Sequence, residues 1–255
     1  MRVVLLACVG LLAGLITGKV EAGAWVREPG ETLVIRTVMY DELRLPGGDV
    51  LRKDEIAIYA EHGFSERLTL VGRIALQDIT RFPESSSDEG FALRNLSGSE
   101  LAARWSLYDY GRWAVSAQAL ITLQGPGENW NNAPFGQGGG DVEARVLAGR
   151  SIGESHFIEG QLAYRRRTDA VGDEVRFDVT VGLQLIEDFM LLGRSHVIWS
   201  PGPEGEKPFA NHRVQASIRY DVSARTSLEF GALGTVSASR MAEERALMVS
   251  LWRRF

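Results

Sequence analysis

The sequence predicts an all-β fold, a single antiparallel up-and-down transmembrane β-barrel of about twelve strands. Three observations lead there. Apolar residues recur with a period of two over most of the chain, the connections between these stretches alternate between short and long, and no apolar run beyond the N-terminus is long enough for a spanning helix. The 255 residues, 45% apolar and 24% charged with 28 glycines, suffice for one sizeable domain.

The N-terminal stretch must be set aside first. Met1-Arg2 gives a short positive region and Val3 to Thr17 an apolar one, the pattern of a secretory signal peptide. Small residues in Val20-Glu21-Ala22 place cleavage before Gly23, and Ala22-Gly23-Ala24 offers an alternative slightly later. The apolar run is too short to span a bilayer as a helix. Leu5-Leu6-Ala7-Cys8 does not serve as a lipoprotein box, because too few residues precede Cys8. The expected organisation is therefore a cleaved segment 1–22 followed by a barrel over 23–255. Cys8, the single cysteine, leaves with the signal, which excludes a disulfide framework and a thiolate metal site.

The strands follow from alternation. Leu68, Leu70, Gly72, Ile74 and Leu76 oppose Thr69, Val71, Arg73, Ala75 and Gln77, with the charge on one side. The same reading gives strands at 31–42, 54–62, 67–78, 98–108, 113–123, 141–150, 156–167, 174–184, 189–199, 211–221, 226–236 and 245–255. Short connections fall at His62 to Glu66, Asp109 to Arg112, Ser151 to Ser155, Leu185 to Asp188 and Val222 to Arg225. Longer ones, rich in Gly, Pro, Ser, Asn and Glu, cover 43–53, 79–97, 124–140, 168–173, 200–210 and 237–244. An even strand count with this alternation places short turns and both termini on the periplasmic side. Trp105, Tyr108, Tyr110, Trp113, Phe157, Tyr164, Phe189, Trp199, Tyr220 and Trp252 fall near strand ends, as interfacial girdles require. A soluble β-sandwich also alternates, but it seldom keeps so many strands in hairpin order with such connections.

Leu247, Val249, Leu251 and the terminal Phe255 share one face of the last strand, with Arg253 interrupting it. This ending resembles the assembly signal of bacterial outer-membrane proteins. Ala24 to Glu31 and Glu61 to Leu70 are similar to segments of proteobacterial barrels, some labelled transporters. The resemblance implies export to the outer membrane, contact with its lipid and lipopolysaccharide, and recognition of the last strand by the barrel assembly machinery.

The face opposite the lipid carries function. Arg36, Arg73, Arg104, Arg145, Arg165, Arg176, Arg194, Arg213 and Arg219 are expected to point inward, as are Glu55, Glu61, Glu100, Asp141, Glu143, Glu159, Asp178, Asp221 and Glu229. The balance of bases and acids argues for mild selectivity or a cross-linked interior. A twelve-stranded barrel is wide enough for a narrow pore, and loop 124–140 offers Trp130 and Phe135 for an inward constriction. The expected function is a passive channel for small polar solutes without cofactor or metal. The alternatives are a lipid-modifying enzyme and a structural or surface-interaction barrel with a plugged lumen.

Composition and motifs bound these alternatives. The net charge of −5 removes the basic face that nucleic-acid binding needs. No Gly-x-Ser-x-Gly elbow or His-Glu-x-x-His stands in the chain, and the histidines, His62, His156, His196 and His212, form no His-x-Ser pair. Ser195 points to the opposite face of its strand from His196.

Overall fold

In lipid, a backbone N–H or C=O without a partner costs several kcal/mol, so a sheet can cross only if its two edges meet. The computed structural model describes residues 23–84, 91–123, 140–153, 155–167, 172–202 and 207–255, and within them the edges do meet. Twelve strands follow one another around the barrel: β1 (Thr32–Arg44), β2 (Val50–Ser65), β3 (Leu68–Phe82), β4 (Phe91–Tyr110), β5 (Trp113–Leu123), β6 (Asp141–Ile152), β7 (His156–Arg166), β8 (Glu174–Ile186), β9 (Phe189–Ser200), β10 (Phe209–Ser223), β11 (Thr226–Ser239) and β12 (Glu243–Arg254). Every strand pairs antiparallel with its chain neighbours, and β1 closes on β12 in unbroken register from Leu33 opposite Arg254 to Arg44 opposite Glu243.

Alternation decides which side chains meet lipid. On β3, Leu70, Ile74 and Leu76 are exposed on the outer wall, while Thr69, Val71, Ala75 and Gln77 are buried inside. On β12 the expected face holds: Leu247, Val249 and Phe255 are exposed outward, with Leu251 between them, and Ala246, Ser250 and Trp252 turn inward. Arg253 lies on the outer face with its guanidinium 5.5 Å from the Phe255 ring, at the end of the strand where water is in reach.

All twelve expected strands are present, with three differences of detail. Strands run further than expected on the long-connection side: 45–49 alone separates β1 from β2, and β4 begins at Phe91. Many of the added residues, such as Arg44, Arg52 and Lys53, are polar and interrupt the apolar alternation, so the ladder itself reveals them. The turn 45–49 is clasped by Asp49, which accepts hydrogen bonds from the Glu84 backbone N–H and the Arg81 guanidinium; both hold its carboxyl below the usual range.

The second difference concerns Arg36, which faces outward, opposite Leu251 and Ile58, rather than into the lumen. Strand β1 is apolar on both faces, with Leu33 and Ile35 against Val34 and Val38, so its own sequence carries no phase and the register with β12 sets it. The third concerns two aromatics. Phe157 and Trp252, 2% and 8% exposed, turn inward and do not join the girdle. The other eight are exposed as expected, with Phe189 stacked on Tyr220 at 4.7 Å.

Val38, 58% exposed at the centre of β1, tests this assignment of faces. Val38→Arg should destabilise the barrel by about 2–4 kcal/mol in reversible refolding into lipid vesicles. Thr37→Val, on the opposite face, should shift the same midpoint far less.

Candidate functional site

Nearly every charge turned into the lumen has a partner. Arg104 of β4 donates to Glu61 Oε1 at 3.0 Å and to Gln118 Oε1 at 3.0 Å, while Tyr59 donates to the same Glu61 oxygen at 2.6 Å. Arg73 meets Glu55 at 2.5 Å, Arg194 meets Glu229 at 2.6 Å, Arg213 meets Glu244 at 2.6 Å and Arg219 meets Asp221 at 3.2 Å. Glu229 also accepts from Ser217 and from the Trp252 indole, at 2.5 and 3.0 Å, which explains the inward turn of that tryptophan.

Towards the long-connection end the pairs fuse. Glu143 of β6 accepts from Arg145 at 2.6 Å and Arg165 at 2.9 Å, with Arg176 at 3.9 Å. Arg176 and Arg167 both hold Glu174 at 2.7 Å, and Arg165 stands 3.7 Å from Glu100. Asp178 lies between Arg145 at 3.9 Å and His196 Nδ1 at 3.0 Å. Apart from Glu100 on β4 and Arg167 just past β7, these residues come from four consecutive strands, β6 to β9, whose inward positions stack at similar heights in the ladder.

The short-turn end is built differently. Residues 23–28 enter the lumen before β1 begins. Ala24, 1% exposed, donates its backbone N–H to Glu159 Oε2 at 2.6 Å and accepts a short hydrogen bond from Ser116 through its carbonyl. Trp25 packs against Phe157, Met190 and Leu192 on one side and Ala114 and Leu147 on the other. Arg27 then reaches Glu61 Oε2 at 2.7 Å, and its backbone N–H donates to Thr69 Oγ1 at 2.8 Å.

Two glycines make room for this segment. A Cβ at Gly149 would come within 2.3 Å of the Trp25 ring, and one at Gly63 within 1.9 Å of the Glu28 carbonyl oxygen. Above the segment lies a cavity of about 250 Å³, with Gly23 and Arg27 on its floor and Arg73, Glu100, Arg104, Arg145, Glu159 and Arg194 on its wall.

All the arginines and acids named as pore candidates face this interior. Of the wider inward set, Arg36 alone does not. The inserted segment was missed by sequence reasoning, since Ala24 to Glu28 has no alternation and its contacts lie as far as 135 positions away. Asp41, Lys53, Glu174 and Glu244 were also missed, in stretches taken for loops or strand edges; Lys53 meets Asp41 at 2.9 Å. Trp130 and Phe135 lie outside the described residues.

Ser195 and His196 do point to opposite faces. His196 turns inward to Asp178, whereas Ser195 meets His212 Nε2 of β10 across the outer wall at 2.9 Å. The pairing needs the β9–β10 register and is invisible in either strand alone. The bond satisfies two polar groups on an apolar wall, and among the described residues no side chain engages the other nitrogen of His212.

Removal of Glu143 would strand Arg145 and Arg165 with their main partner gone. Glu143→Gln should lower stability by ~3 kcal/mol in vesicle-based unfolding, against a small change for Glu100→Gln, whose carboxylate is more exposed and 3.7 Å from its partner.

No family model and no curated protein sequence matches the chain. Solved structures do. The COG4313 outer membrane channel from Pseudomonas putida F1 superposes with a TM-score of 0.71 at 13% identity, covering 93% of this chain and all of that one. The NanC porin gives 0.54 at 8% identity over 85% of this chain and 98% of its own. The translocator domain of the autotransporter NalP from Neisseria meningitidis gives 0.53 at 12% identity over 90% of both chains. Identities this low speak for the fold alone, and channels and a translocator domain share it. The chain folds as a closed twelve-stranded antiparallel barrel of the bacterial outer-membrane type.

Proposed function

We propose that the protein is a narrow passive channel for small polar solutes in the outer membrane, constricted at its periplasmic mouth by residues 23–28. The observation that carries the reading is the cavity of about 250 Å³ whose wall carries mostly paired charges beside apolar side chains such as Val71, Phe157 and Leu192, floored by Gly23 and Arg27. Its size suits a small solute, and its wall of guanidinium and carboxylate groups offers hydrogen bonds to replace lost hydration. Because the charges are paired, the field inside is weak in net sign, which suits a pore of mild rather than strong ion selectivity. The COG4313 outer membrane channel and the NanC porin share the architecture.

The inserted segment favours one second reading, a barrel closed at rest. Single-channel recording in planar bilayers separates the two. The chain beginning at Gly23 should give small, steady, salt-dependent steps, and deletion of 23–28 should enlarge them several-fold. Arg145→Gln should move the reversal potential in a salt gradient towards cation preference. Steps that appear only after the deletion would favour the closed barrel. Silence of both forms, shown to be folded and inserted, would overturn the channel.

A further inference from the structure

Glu159 of β7 stands apart from the other inward acids of the lower lumen. It is 2% exposed, and among the described residues it has no ion-pair partner. Its oxygens accept only from the Ala24 backbone N–H and from the Gln161 side-chain amide. The nearby guanidinium of Arg104 is committed to Glu61 and Gln118. A carboxylate this deep in a protein calls for a cation in contact with it, and among the described residues no side chain of the wall forms that ion pair, Arg104 acting on it only from beyond contact.

The chain itself supplies one when it is cut. A Cβ built on Gly23 would lie 3.1 Å from Glu159 Oε1 and 3.4 Å from Gln161 Nε2, so a group bonded to the same α-carbon is within reach of the carboxylate. Hydrolysis of the Ala22–Gly23 peptide bond leaves a carboxylate on Ala22 and an amine on Gly23. That amine takes up a proton at neutral pH and becomes an ammonium.

We propose that processing occurs between Ala22 and Gly23, and that the new α-ammonium is the counter-ion of Glu159, which seats residues 23–28 in the lumen. The later site, after Ala24, does not fit. It would remove Ala24, whose N–H and carbonyl are held by Glu159 and Ser116. An uncut chain would leave an amide at Gly23 and no charge for Glu159. Proteolysis thus completes the floor of the lumen, and the inserted segment is locked only in the exported, processed protein. The proposal does not rest on conduction and stands or falls separately from the channel reading.

The test uses protein isolated from outer membranes. Mass spectrometry of the intact chain should give a start at Gly23. An amine-acylating reagent at pH 7.5 should then label the Gly23 amine of the folded protein roughly ten-fold more slowly than in Glu159→Gln, since one unit of pKa elevation removes about nine-tenths of the free amine. The exposed Lys207 serves as internal reference and should label equally in both. The substitution keeps the side chain's volume and an acceptor for Ala24. Should it fail to fold, the pH profile of labelling in the unaltered protein decides: its midpoint should lie above the ordinary α-amine range of about 7.7–8.0. A start at another residue, equal labelling in the two proteins, or a midpoint within or below that range would overturn the proposal.

Discussion

Backbone hydrogen bonding in hydrocarbon is the constraint on which the rest of this structure depends. A strand that leaves its ladder unpaired in lipid is too costly to exist, so β1 must find β12, and the continuous register from Leu33 to Arg44 shows that it does. Closure creates an inside. Once the inside exists, the two-residue period sends Leu70, Ile74 and Leu76 out and Val71, Arg73 and Ala75 in, and every later question about function concerns what the inward residues do with their charge.

That charge is organised by neighbourhood rather than by sign. Strands that lie close around the barrel bring an arginine and its acceptors to the same height, as Arg104 of β4 spans Glu61 of β2 and Gln118 of β5 or as Arg165 crosses from β7 to Glu143 on β6. Fork-shaped guanidinium groups suit this setting, because each spans two acceptors and fixes both. The wall of the lumen is consequently stiff, and its width is set by short ion pairs rather than by free side chains reaching into solvent. Glu143 anchors the long-connection end of this lattice, and Glu61 ties it to the N-terminal segment through Arg27.

The N-terminal segment adds an apolar layer to an otherwise polar interior. Trp25, Phe157, Met190 and Leu192 form a small core inside the barrel at the short-turn end, and Gly149 and Gly63 give the segment the space it fills. Such a core excludes water, which strengthens the hydrogen bonds at Ala24 and Arg27 that surround it. A barrel that encloses a packed core at one end, with a charged cavity resting directly on it, has a floor as well as a wall, and the floor is the element that distinguishes a constricted interior from an open tube.

Sequence alone determined the strands, their order and the face of most of them, because alternation is a local signal that each strand carries within about ten residues. It determined the inward set from Arg73 to Glu229 for the same reason. Where a strand is apolar on both sides, as β1 is around Arg36, the signal vanishes and only pairing with β12 decides. Phe157 and Trp252 read as girdle residues from position along the strand, yet they face inward because Trp25 and Glu229 lie there to receive them. Ser195 meets His212 through the β9–β10 register, and Ala24 meets Glu159 across the lumen. Each of these contacts joins segments that are distant in sequence, and their energy exists only once closure has brought the segments to a common interior or a common wall.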